Sequence, residues 1–131
     1  MDIWEAIGYK LINDADIAAV CSARVYHAMR PEEGAPCINY FEVGYEPMHK
    51  GVTERAHYQI SCRAATPGAA QDLGRMVAVL FHNFSGPIGS ASVFVVTQAT
   101  VEGKLLLPEP ETNLYHVPVD VMFVFDDSTV G

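Results

Sequence analysis

The stretch Thr53–Ala64 limits the possible folds more than any other part of the chain. Ala56, Tyr58, Ile60, Cys62 and Ala64 alternate strictly with Arg55, His57, Gln59, Ser61 and Arg63. A period of two marks a β-strand with one face buried and one face wet. Such a strand needs neighbours in a sheet and an apolar layer over its buried side.

The covering layer is readable in two places. Asp2 with Glu5 three positions later forms a capping-box pattern, and Ile3, Trp4, Ile7, Leu11 and Ile12 recur at helical spacing. This predicts a first helix ending at Asn13-Asp14, followed by a short helical turn capped by Asp16. Thr66-Pro67 is a good opening for the longest helix. Its apolar stripe is Ala70, Leu73, Val77, Leu80, Phe81 and Phe84, and Ser85-Gly86-Pro87 is expected to stop it.

Further strands are expected at Arg24–Met29, Cys37–Tyr45, Ser92–Val101 and Tyr115–Phe125, with Glu102-Gly103-Lys104 as a turn. Arg30–Pro36 and Glu46–Gly51 read as loops, the second projecting from the body, and Leu105–Leu107 leads into a Pro/Glu loop. The strands flanking the long helix are expected to lie as antiparallel neighbours. The fold class is therefore α+β: a single mixed or antiparallel sheet with two main helices packed on one face. One domain over residues 1–125 and a flexible tail over 126–131 complete the reading.

Composition narrows the chemistry. The 131 residues are 50% apolar and carry a net charge of -8, with 8 basic residues against 16 acidic ones and no basic run. Gripping nucleic acid needs clustered Lys and Arg, so this balance argues against it. The start of the chain lacks a secretory pattern, and no apolar run reaches the roughly 20 residues a membrane span needs.

Catalytic and metal signatures are sparse. His27, His49, His57, His82 and His116 fall in no zinc or metalloprotease spacing. Cys21, Cys37 and Cys62 include no CxxC pair and read as small buried hydrophobes in a reducing compartment. Cys62 sits among apolar neighbours, where a reactive thiolate is disfavoured. Gly86–Ser90 follows a helix instead of opening one, and it lacks the Walker lysine. Glu32-Glu33, Glu109/Glu111 and Asp126-Asp127 read as solvated acids. No catalytic residue, cofactor or metal ligand is expected.

Two features stay open. The polar face Arg55, His57, Gln59, Ser61, Arg63 is either the solvent side of a half-buried strand or a contact with a neighbouring subunit. The segment Gly44–Val52, carrying Tyr45, Met48 and His49, is either a flexible loop or a docking loop.

The order of landmarks resembles the tail-completion, or tail-terminator, proteins of long-tailed bacteriophages. The match runs from the N-terminal helix through Arg24-Val25-Tyr26, then Cys37–Glu42 after a Pro/Gly loop. It continues through Tyr58–Cys62 leading to Thr66 and the long helix, and closes on Val119–Val124. It covers residues 3 to 125. The resemblance implies a non-enzymatic virion subunit, made in the host cytoplasm and found in the tail or neck. It implies a ring, six subunits being usual, that caps the tail tube and contacts the tube protein and the head connector protein. DNA would pass through the lumen without specific binding, and an acidic wall would keep it from sticking. The alternatives are another neck or minor tail component, or a small-ligand-binding α+β domain.

Overall fold

A computed structural model describes residues 2–22, 24–28, 35–49, 53–90, 94–110 and 113–127. Among the described residues three helices occur: α1 Ile3–Ile12, α2 Ala15–Cys21 and α3 Pro67–Phe81. The strands are β1 Val25–His27, β2 Cys37–His49, β3 Thr53–Ala64, β4 Gly86–Ile88, β5 Phe94–Lys104, β6 Leu107–Glu109 and β7 Leu114–Asp127.

The helix starts follow from their caps. The Asp2 amide donates to the Glu5 carboxylate at 3.0 Å, closing the capping box of α1. Thr66 Oγ1 accepts from the Ala69 amide at 3.2 Å, with Pro67 at the first helical position. The cap of α2 is Asp14, which accepts from the Ile17 amide at 3.1 Å. The expected turn after Asp16 is thus a seven-residue helix, and there are three helices where two main ones were expected.

Helix α3 stops at Phe81, before Phe84, because its continuation has a better partner. Asn83 turns left-handed at φ 60. Its amide then donates to the Ala99 carbonyl, and the Ala99 amide donates to the Phe84 carbonyl, both at 2.9 Å. Beyond the expected stop at Ser85-Gly86-Pro87, Gly86–Ile88 forms a short strand on β5.

The sheet is mixed, ordered β1-β2-β3-β7-β5-β4, with β6 also on β7. Among the described strands β1 with β2 is parallel and the other pairs are antiparallel. The expectation that the strands around α3 are neighbours is corrected here, because β7 lies between β3 and β5. A helix between two strands carries the chain across the sheet and returns it parallel, leaving room for a strand between them.

Three loop expectations are also corrected. Glu102-Gly103-Lys104 continues β5 past a bulge between Val101 and Gly103, and no turn forms there. Leu107–Glu109 pairs with β7 as β6. The segment from Gly44 to His49 is strand throughout, paired with β3. Pro47 is tolerated there because β2 is an edge: β1 covers only Ile38 to Tyr40. At the other end, β7 extends through Asp127, two residues into the expected tail, and Thr53 Oγ1 donates to Asp126 at 2.7 Å.

The core lies between the helices and the sheet. Tyr40, Tyr58, Phe123 and Phe81 form a run of rings with centroids 5.2 to 6.4 Å apart. Each fully buried side chain of this size contributes about 1.5–3 kcal/mol. Helix α3 comes so close that a Cβ on Gly74 would lie 2.7 Å from Val117 Cγ1. Helix α1 runs from one sheet edge to the other. Trp4 stacks on His27 of β1 at 4.0 Å, and Lys10 Nζ sits 3.9 Å over the Phe84 ring, beside β4.

Candidate functional site

The polar face of β3 forms as the alternation predicts: Ala56, Tyr58, Ile60, Cys62 and Ala64 are buried, while Arg55, His57, Gln59 and Arg63 are partly exposed on the other side. Register sets their neighbours. Arg55 stands opposite Glu46 on β2, Gln59 opposite Asp120 on β7, and Arg63 opposite His116.

Much of this face is engaged within the chain. Arg63 Nε donates to both Glu109 carboxylate oxygens, at 3.0 and 3.2 Å, and Nη1 donates to Asn39 Oδ1. Asn39 Nδ2 donates to the Ala28 carbonyl at 3.0 Å. His116 Nδ1 lies 3.7 Å from the same Glu109. This cluster links β2, β3, β6 and β7 across the polar side. Nearby, Gln59 Nε2 donates to Ser61 Oγ at 3.1 Å, and His57 Nε2 lies 3.5 Å from Asp120 Oδ1.

Glu109 and Asp126 are therefore not the free solvated acids expected of them. No local pattern could have revealed Glu109, since its partner lies 46 residues earlier in the chain. The arrangement is that of charges holding strands together. A guanidinium held by a carboxylate and an amide oxygen at once is fixed in direction and stays ionised, which suits a fixed surface better than proton transfer.

Tyr45 is not on this face. The bulge between Glu42 and Gly44 shifts the alternation by one, so Tyr45 pairs with Ala56 and projects on the helix side. Its hydroxyl donates to Glu54. The seven expected interface residues thus divide between two faces: Arg55, His57, Gln59 and Arg63 on one, Tyr45 on the other. Met48 and His49 have strand backbone, and their side chains lie outside the described residues.

On the helix side, the start of α1 faces the hairpin end of the sheet. A cleft of ≈ 620 Å³ opens there, lined by Asp2, Trp4, Glu42, Tyr45, Glu54 and Phe94 among others. Its ionisable wall is acidic and its floor aromatic. A second hollow of ≈ 470 Å³ lies between α3 and β5, lined by Arg75, Ala78, Val79, His82, Val101 and Lys104.

The cysteines lie in the interior. Cys21, Cys37 and Cys62 are fully buried. Burial pushes the Cys21 thiol up to about 11 and the Cys62 thiol higher, so neither ionises as a nucleophile near neutrality. Among the described residues, no group of three or more His, Cys, Asp or Glu side chains could hold a metal ion. No helix among them is long and apolar enough to cross a membrane.

No curated protein matches the sequence. In fold the chain is similar to one in a solved structure, the virion of a native gene transfer agent (GTA) particle. That likeness has a TM-score of 0.69 at 13% identity and covers 92% of each chain. The family model for tail completion protein gp17 matches residues 5–126. With nearly the whole described fold inside that match, from the first turn of α1 to the end of β7, the chain belongs to the tail completion protein gp17 family of virion structural proteins.

Proposed function

We propose that this chain is a ring-forming subunit that caps the finished tail tube and joins the tail to the head. The observation that carries this reading is the family match over residues 5–126. The surfaces agree with it. The polar cluster around Arg63 is committed to internal bonds, and β2 beyond Tyr40 keeps an open edge among the described residues.

In this reading six copies close the ring, and each touches the tail tube protein on one side and the head connector protein on the other. The polar face carrying Arg55, His57, Gln59 and Arg63, and the arm carrying Tyr45, Met48 and His49, supply contact surface. The net charge of -8 suits a lumen through which DNA slides without binding. The subunit is made in the host cytoplasm, joins the virion neck, and catalyses nothing.

Electron microscopy of particles made with the gene disrupted, then restored, tests the proposal. Full heads beside detached tails, or tails of uncontrolled length, are expected on disruption, with normal particles on restoration. Normal infectious particles from the disrupted gene would reject it.

A further inference from the structure

Which surfaces of a subunit would meet its neighbours can be read from how the charges are placed. Of the basic residues described, Lys10 sits over the Phe84 ring, Arg24 donates to the Pro36 and Val20 carbonyls, and Arg63 is held by Glu109 and Asn39. Arg55 is half-buried on β3. Arg75 and Lys104 are the exposed cations among the described residues, and both line the hollow between α3 and β5. Val79, one helical turn after Arg75, is 76% exposed between them. An apolar side chain held this far into solvent beside two cations makes a ridge that is apolar at its crest and positive on its β5 flank.

The cleft at the hairpin end has the opposite character. Asp2, Glu42 and Glu54 put carboxylates around Trp4, Tyr45 and Phe94. The chain thus carries an acidic aromatic recess at the hairpin end, reaching from Glu42 on β2 to Phe94 at the start of β5, and a cationic apolar ridge on α3 beside Val101 and Lys104 at the far end of β5. The two surfaces differ, so pairing one with the other is heterologous, and repetition gives a ring or a filament.

Sheet extension is disfavoured as the mode of contact. Bulges between Glu42 and Gly44 and between Pro47 and His49 break the outer edge of β2. The β5 edge is already occupied by the backbone of Asn83 and Phe84 and by β4. Along these two long edges, side chains are therefore the means of contact left. The α2 flank of the ridge is acidic, with Asp14, Asp16 and Asp72, so its β5 flank is the one suited to a carboxylate-rich recess. The exposed Arg75–Asp72 pair, at 3.2 Å, does not hold Arg75 strongly.

We propose that the occupant of the acidic cleft is a second copy of this chain, which seats its Arg75–Val79 ridge and Lys104 against Glu42, Tyr45 and Glu54. This rests on the ring reading above and names the two surfaces that close the ring.

The test uses particles made with the gene disrupted and complemented by variants. Tyr45→Cys with Val79→Cys, in a chain whose own cysteines are buried, should give a ladder of covalent multimers on oxidation. Each single variant should give monomer only. Arg75→Glu with Lys104→Glu should lower the yield of joined particles at least ~10-fold, since like charges then face each other. Adding Glu42→Lys and Glu54→Lys to that chain should restore the yield, an outcome that misfolding could not produce. Particles that contain the chain but give no ladder and tolerate the reversal overturn this pairing and leave the tail role standing. Particles that lack the chain overturn the tail role, and the pairing with it.

Discussion

The hydroxyl of Tyr40 donates to the backbone carbonyl of Trp4 at 2.8 Å, joining β2 to α1 across 36 positions of sequence. Gly8 lies over the same hydroxyl, so close that a Cβ there would overlap it. Burial pushes the Tyr40 phenol up to about 12, so the donor is protonated at any ordinary pH. Gly8→Ala should destabilise the fold by about 1–3 kcal/mol. Tyr40→Phe alone should cost about 1 kcal/mol for the lost bond. Together they should cost less than the sum, because the atom that clashes is the one removed. Urea midpoints of the four proteins check this.

Two glycines of α3 should respond oppositely to alanine. A Cβ at Gly74 would meet Val117 Cγ1 at 2.7 Å, while nothing lies within 4 Å of one at Gly68. Gly74→Ala should cost about 1–3 kcal/mol, since Val117 is stiff at χ1 and cannot turn aside easily. Gly68→Ala should stabilise by up to about 1 kcal/mol through helix propensity. Thermal unfolding of both variants decides it.

The Arg63–Glu109 ion pair is 14% and 25% exposed at its two side chains, so it is only partly screened. Glu109→Gln should cost about 1.5–3 kcal/mol, the usual range for charge-assisted bonds. The effect should be local first, with faster amide hydrogen exchange in β6 than in β3. A uniform increase across the sheet would contradict the role given to this pair.

Alkaline pH should unfold the protein progressively. The Cys21 thiol is raised by burial from 9.0 to about 11, and Tyr40 from 10.0 to about 12. Between each pair of values the unfolded chain has released a proton that the folded chain retains, so stability falls as pH rises. The stabilising contribution is complete below pH 9, starts to fall above it, and is lost by about pH 12. Cys21→Ala should flatten the lower part of that decline, between pH 9 and about 11, as read from urea midpoints.

The features legible from sequence were those whose cause is local. The β3 alternation, the capping box at Asp2 and the Thr66-Pro67 start each depend on a few adjacent residues. What could not be read depends on distant partners. The short strands β4 and β6 exist only because β5 and β7 receive them, and α3 ends at Phe81 because Asn83 finds Ala99. The candidate surface divides in the same way. Arg63 was visible as a polar-face residue, but Glu109 was not visible as its anchor. The face of Tyr45 turned on one bulge at Val43, and the glycine that follows was the only local hint of it.

The position of β7 between β3 and β5 also bears on how the protein is made. It is the latest strand in the chain among those described, yet it occupies the middle of the sheet. A nascent chain halted before Leu114 would present β3 and β5 with their inner edges bare and the floor under Gly74 missing. Translation must deliver that final segment before the central pairings can close, so an incomplete product is exposed to proteases and is no competitor for a place in the particle.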